Sequence, residues 1–286
     1  MTKIISFINL KGGVGKTSTA VAMAEALSSV WKQKVLVIDL DPQTNATLML
    51  IGEEKWLELN RGGHTLAHLF GSAMNPGGRP FELDQALQKC VSDVLAAETI
   101  DLLPSSIDLV DFQDRIAMMP VGRFFAATPV EVLSQTVGPL LEGYDTVLID
   151  CPPNLGIVTL NGLYISGGYI IPTIPDTLST YGIPQIVSRV SEFSRNIGRD
   201  ICPLGIVISK FQANSTVHNN IVRELRNNPN HPKVYQTIIK QSNSASAAVE
   251  YWPDKRTLRQ KYGADPNGLA TSFINLAREI RSEMGA

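Results

Sequence analysis

Two lysines bracket a glycine-rich turn near the start of the chain, Lys11 and Lys16 in LKGGVGKTS, residues 10–18. Backbone N–H groups can converge on phosphate oxygens only where side chains stay clear, and Gly12, Gly13 and Gly15 keep them clear. Lys16 would reach the terminal phosphates, and the Thr17 hydroxyl would ligand Mg²⁺. Val14 and Ser18 complete the candidate nucleotide-binding stretch from Lys11 to Ser18. The general phosphate-loop pattern asks for glycine where Leu10 stands, and Lys11 follows it as a second cation at the mouth of the loop.

Three carboxylates accompany the loop. Asp39 and Asp41 fall where the apolar run KVLVID ends, and Asp150 ends a second run, DTVLID. Period-two alternation puts Asp39 and Asp41 on one face of the chain. An aspartate closing an apolar strand beside a phosphate loop is the expected partner of Mg²⁺, usually through the metal's water shell. Asp39, Asp41 and Asp150 are all candidates for that role.

Strands and helices must bring these groups together. Apolar runs recur as IISFI, KVLVID, TIDLLPS, DTVLIDC, YIIPTI, LGIVIS and VYQTIIK, with helix-like segments between most of them. The alternation predicts an α/β fold with a mostly parallel central sheet flanked by helices on both faces. The stretches 71–80 and 226–233 read as loops too short to separate domains, so residues 1–286 are expected to form one domain. Leu269, Phe273, Leu276 and Ile280 recur at helical spacing and predict a docking helix at the end.

Composition narrows the function classes. Three cysteines, Cys90, Cys151 and Cys202, form no C-x-x-C pair, which argues against a disulfide framework, a zinc site or a bridging iron–sulfur cluster and fits a reducing cytoplasm. The first strand begins almost at Met1, so no signal peptide is expected. The uncharged run Cys151–Pro175 is long enough to span a bilayer, but it holds four prolines and four glycines and reads better as loop, helix and strand. His64 and His68 stand in HTLAH with no Glu between them, so a surface helix turn is expected rather than a metalloprotease site. Cys151 reads as a small buried residue.

Together, KGGVGKTS, DLDPQTN and DCPPNLGIVTLN resemble the ParA-type partition ATPases of the ParA/MinD superfamily. The similarity extends over the whole chain and includes TIDLLPSSIDL. It implies a P-loop NTPase fold with a deviant phosphate loop at 11–18, and ATP and Mg²⁺ as cofactors. It implies a water-orienting Asp41, with Asp39 and Asp150 holding the metal's waters. It also implies catalytic roles for Lys11 and Lys16, and a homodimer formed with ATP. In such a dimer Lys11 would reach the partner's nucleotide and neutralise phosphate charge in trans, as an arginine finger does. Gln212 stands where GTP-binding relatives carry the aspartate that reads guanine, so adenine is expected. Backbone from Lys210 and the IIKQSN loop are the candidate base contacts.

Charge distribution suggests a second partner. Residues 1–181 carry 11 basic and 19 acidic side chains, and residues 182–286 carry 14 and 8. Arg223, Arg226, Lys240, Lys255, Arg256 and Arg259 are the candidate contacts to DNA phosphates. No room for a helix-turn-helix precedes the first strand, so binding should be independent of sequence. Lys240–Gln241 stands where chromosomal relatives usually have Pro-Arg. The resemblance further implies a ParB-like or adaptor protein that stimulates hydrolysis, a cytoplasmic, nucleoid-associated location and no integral membrane association. The alternative is a MinD-like membrane-associated positioning ATPase. That class needs an amphipathic C-terminal anchor, which LAREIRSEMGA fits poorly. A metal-cluster carrier of this fold would need cysteines the chain lacks.

Overall fold

The computed structural model describes residues 2–75, 77–117, 129–265, 268–283 and 285. Seven strands form one sheet: β1 (Lys3–Phe7), β2 (Val35–Asp39), β3 (Ile100–Leu103), β4 (Thr146–Asp150), β5 (Gly168–Thr173), β6 (Cys202–Phe211) and β7 (Val234–Lys240). Their order is β3-β2-β4-β1-β5-β6-β7, and every pairing is parallel. Each of the seven apolar runs is a strand, as expected. Parallel strands need crossovers, and helices supply them on both faces.

The two faces can be read from the alternation along β2. Val35 and Val37 join one buried cluster, and Leu36 and Ile38 join the other. The first cluster lies under the helix Lys16–Trp31 and the last helix, Leu269–Glu283. That last helix buries Leu269, Phe273, Leu276 and Ile280, so its expected docking face is consumed by the core. Fully burying each such side chain stabilises the fold by roughly 1.5–3 kcal/mol.

Local expectations needed two adjustments. Segment 71–80 is helical as far as Met74, within Leu66–Met74, because Leu66, Leu69 and Phe70 bind that helix to the core. His64 precedes this helix, so it and His68 do not share a helix face; His68 Nδ1 lies 3.1 Å from the Thr65 hydroxyl instead. The run Cys151–Pro175 resolves into a loop, the helix Ile157–Ile165 and β5. Among the described residues, no helix is long and apolar enough to cross a membrane.

Candidate functional site

Because the strands are parallel, the loops after β1, β2, β4 and β6 all open at one edge of the sheet. Register places Phe7 opposite Asp150, and Asp150 opposite Asp39. The phosphate loop leaves β1 and enters the helix Lys16–Trp31 through Gly15, whose φ of 85° lies in the left-handed region that glycine tolerates. No side chain caps this helix, so its first N–H groups remain available to an anion.

A cavity of about 370 Å³ opens there, lined by Gly12, Gly13, Gly15, Lys16, Thr17, Ser18, Asp41 and Lys210, all of them candidates from the sequence. Its remaining wall is Gln43, Asn45, Leu48, Met49, Pro153 and Val249. Gln43 and Asn45 belong to the DPQTN stretch. Leu48, Met49 and Val249 carry no sequence signal, because an apolar pocket wall is written like a core position. Val14 is wholly buried and turns its side chain away from the cavity into the protein.

The Lys16 ammonium folds over the loop, with long contacts of 3.4 Å to the Lys11 carbonyl and 3.5 Å to that of Asn9. Burial lowers its pKa, and the charges of Asp150 and Asp41 oppose that shift. Asp150 is fully buried, and neither carboxylate oxygen has a hydrogen-bond partner among the described residues. The nearby Thr17 hydroxyl helps its ionised form without making a well-formed bond. Burial, reinforced by Asp39, therefore drives the Asp150 pKa well above the carboxylate range. A buried carboxyl with vacant oxygens beside a phosphate loop fits a cation or its waters, and the Thr17 hydroxyl adds an oxygen donor of the type Mg²⁺ prefers.

Asp39 is held in place by hydrogen bonds. Its Oδ1 accepts from the Asp41 N–H at 3.1 Å, and its Oδ2 accepts from the Thr47 N–H at 2.8 Å and the Thr47 hydroxyl at 2.7 Å. The two bonds from Thr47 tie the end of β2 to the helix that begins at Asn45, and all three hold the fully buried carboxyl in place. Burial still raises its pKa to about 7. Asp41 reaches the cavity. Its Oδ1 accepts from the Gln43 N–H at 3.0 Å, its carbonyl accepts from the Ser105 hydroxyl at 2.7 Å, and burial raises its pKa.

Lys11 lies at the mouth and points away from the cavity. Its Nζ donates to both oxygens of Asp176 at 3.2 Å and to the Ser179 hydroxyl at 2.8 Å. Lys210, at the end of β6, has a left-handed φ of 49° where the pairing with β7 shifts register. Gln212 donates to the Gln241 side chain at 2.6 Å and does not line the cavity. Cys151 is buried, and burial raises its thiol pKa, so it is an inert packing residue.

The basic candidates divide into two sets. Arg223, Lys240 and Arg259 are exposed and make no ion pair among the described residues. The other three are already engaged. Arg226 donates to the carbonyls of Tyr235 and Gln236, and Lys255 donates to that of Ser92. Arg256 is paired with buried Asp93 at 2.7 Å. That pair belongs to a closed cluster in which Lys261 Nζ contacts Glu25 at 2.6 Å and Asp93 at 2.7 Å, all three side chains fully buried. Arg256, expected to contact DNA, thus has its guanidinium held by a buried aspartate.

Residues 2–202 match the family model described as AAA domain. The chain is 29% identical over 287 residues to the chromosome-partitioning ATPase Soj of Treponema pallidum, covering 100% of this chain and 99% of that one. It is 30% identical over 225 residues to the chromosome partitioning protein ParA of Myxococcus xanthus, covering 78% and 70%. Its fold is similar to that of cobyrinic acid a,c-diamide synthase from Mycobacterium smegmatis, solved with an ATP analogue and magnesium: TM-score 0.73 and 24% identity over 100% of this chain and 98% of that one.

Proposed function

The chain belongs to the ParA/MinD-type ATPases, and from that membership we propose a partitioning ATPase that dimerises with ATP and binds DNA without sequence preference. ATP and Mg²⁺ are its substrate and cofactor, the pair carried as analogue and ion by a protein of similar fold. The observation that carries the reading is one cavity that gathers the glycine loop, Lys16, Thr17 and Asp41, near the buried carboxyl of Asp150, whose oxygens accept no hydrogen bond among the described residues.

The chain's own groups divide the work. Loop N–H groups and the uncapped helix end hold the phosphates, and Lys16 neutralises their terminal charge. Thr17 and Asp150 would hold Mg²⁺, which when bound screens the phosphate oxygens from one another and favours attack at the terminal phosphorus. Asp39 fixes the end of β2 so that Asp41 faces the cavity and orients the attacking water. Lys11, once free of Asp176, serves the partner's nucleotide in a dimer. Lys210 backbone, Leu48, Met49 and Val249 are placed to enclose the base. Arg223, Lys240 and Arg259 supply the exposed phosphate contacts, doubled by dimerisation, and an adaptor protein would accelerate turnover.

The test is co-sedimentation with DNA and with anionic liposomes, in ADP and in ATP with Mg²⁺. ATP-dependent retention on DNA that falls steeply with salt and ignores base composition is the expected result. Retention on liposomes alone would replace this reading with a membrane switch. No ATP hydrolysis in any condition would remove it.

A further inference from the structure

The phosphate loop is held in shape by a group from a distant strand. An anion-binding loop must point its N–H groups inward, so its carbonyls must point outward and find donors elsewhere. The Gly15 carbonyl accepts from Thr19 within the helix. The Val14 carbonyl accepts from the Ser209 hydroxyl at 2.6 Å, across 195 residues of sequence. Ser209 is 3% exposed, lies outside the cavity, and no other hydrogen bond from its side chain occurs among the described residues.

The Val14–Gly15 peptide needs such a hold. Flipping a peptide plane changes ψ of the first residue and φ of the second by about half a turn. Gly15 tolerates either sign of φ, so the flip meets little steric resistance on that side. A flipped plane would aim the Val14 carbonyl oxygen where a phosphate oxygen must sit. The end of β6 supplies a donor against this. Ser209 lies two residues after Val207, which joins the buried cluster under the helix Lys16–Trp31, so ordinary strand alternation turns Ser209 toward the turn that leads into that helix.

We propose that Ser209 is a positioning residue of the nucleotide site, whose hydroxyl locks the Val14–Gly15 peptide with its carbonyl turned away from the phosphates. This rests on the nucleotide reading above, and the wild-type protein serves as its control. Calorimetric titration of the full chain with ADP and Mg²⁺ should show binding by the wild type, about tenfold weaker binding by Ser209→Ala, and recovery in Ser209→Thr. Ser209→Cys keeps the volume with a poor donor and should resemble Ser209→Ala. Without nucleotide, amide exchange in a peptide spanning residues 10–18 should be faster in Ser209→Ala and Ser209→Cys, and normal in Ser209→Thr. Equal affinity and equal exchange in wild type, Ser209→Ala and Ser209→Cys would overturn the lock while leaving the nucleotide site intact. A folded wild type that does not bind would overturn the nucleotide reading, and the lock with it.

Discussion

Lys11 and Asp176 form an ion pair at the mouth of the phosphate loop, with Nζ 3.2 Å from each carboxylate oxygen and 2.8 Å from Ser179. Asp176 is itself held, because its oxygens accept from the Ser179 N–H at 2.7 Å and the Ser179 hydroxyl at 2.8 Å. Those bonds and the Lys11 charge together lower the Asp176 pKa against the opposing effect of partial burial. In the single chain, then, the second lysine is engaged within its own subunit, and any role in trans requires this pair to open.

Asp176→Asn should therefore favour the ATP dimer. The side chains are 39% and 32% exposed, so solvent screening limits the pair to no more than about 1 kcal/mol. A symmetric dimer opens two such pairs, so the midpoint of ATP-dependent dimerisation should fall by up to about thirtyfold, measured by sedimentation. An unchanged or raised midpoint would show that opening the pair does not limit assembly.

Asp41→Ala should retain ATP and lose hydrolysis. A side chain that also takes the proton of the water it orients contributes on the order of 10²–10⁴ in rate, so turnover should fall by about a hundredfold or more while nucleotide affinity changes little. Turnover at the wild-type rate would remove Asp41 from the chemistry.

Two neighbouring arginines should behave in opposite ways. Arg256→Glu sets a new carboxylate against Asp93 inside a cluster whose two acids, Glu25 and Asp93, are balanced by Lys261 and Arg256 together, and should destabilise the fold by about 3–5 kcal/mol. Arg259→Glu alters an exposed residue and should move stability by no more than about 0.5 kcal/mol. It should still weaken binding to every DNA sequence alike, since backbone contacts do not read bases. Urea unfolding and a DNA titration on both variants separate the two roles. Normal stability in Arg256→Glu would count against the buried cluster.

Gly52 and Tyr251 should show coupled energetics. Gly52 breaks the helix Asn45–Gly62 at φ 74°, and a Cβ there would lie 2.7 Å from Tyr251 Cδ1. Gly52 has ψ 169°, a conformation essentially reserved for glycine, so Gly52→Ala should cost roughly 1–3 kcal/mol in backbone strain, and the clash adds to that. In a Tyr251→Ala background only the strain should remain. Equal costs in both backgrounds, by denaturant unfolding, would show that the ring yields freely.

The nucleotide-free protein should lose stability as pH rises from 6 to 8. Burial raises the Asp39 pKa to about 7, and Asp150 is shifted in the same direction. An unfolded aspartate titrates near pH 3.9, so between these values the folded state holds more protons. The associated stability is complete below about pH 4 and is lost as pH passes through the folded pKa. Without Mg²⁺, the Tm should fall across this range and fall less in Asp39→Asn. A flat or rising Tm would contradict the raised carboxyls.

The strands and the phosphate loop were legible because their signals are local: apolar runs, glycines without obstructing side chains, an aspartate closing a strand. What escaped notice joins distant parts of the chain. Nothing near Lys11 announces Asp176, and nothing in WPDKR says that Asp93 takes Arg256 while Arg259 stays in solvent. Asp39 was placed correctly at the sheet edge, but Thr47, which accounts for two of its three hydrogen bonds, gave no separate sign of that role. Val249 joins the cavity wall only because the chain returns there after β7.

Strand β1 lies between β4 and β5. During synthesis the phosphate loop therefore leaves the ribosome long before the strands that flank it. Lys3 must wait for Thr146, and Ile5 for Gly168. At roughly 5–20 residues per second the delay is on the order of ten seconds or more. Through that interval the emerging segment has glycines and lysines but no sheet edge to hold them, so a nascent chain cannot take up nucleotide. The cavity closes later still, because Lys210 and Val249 line it and are made after the strands in the middle of the sheet.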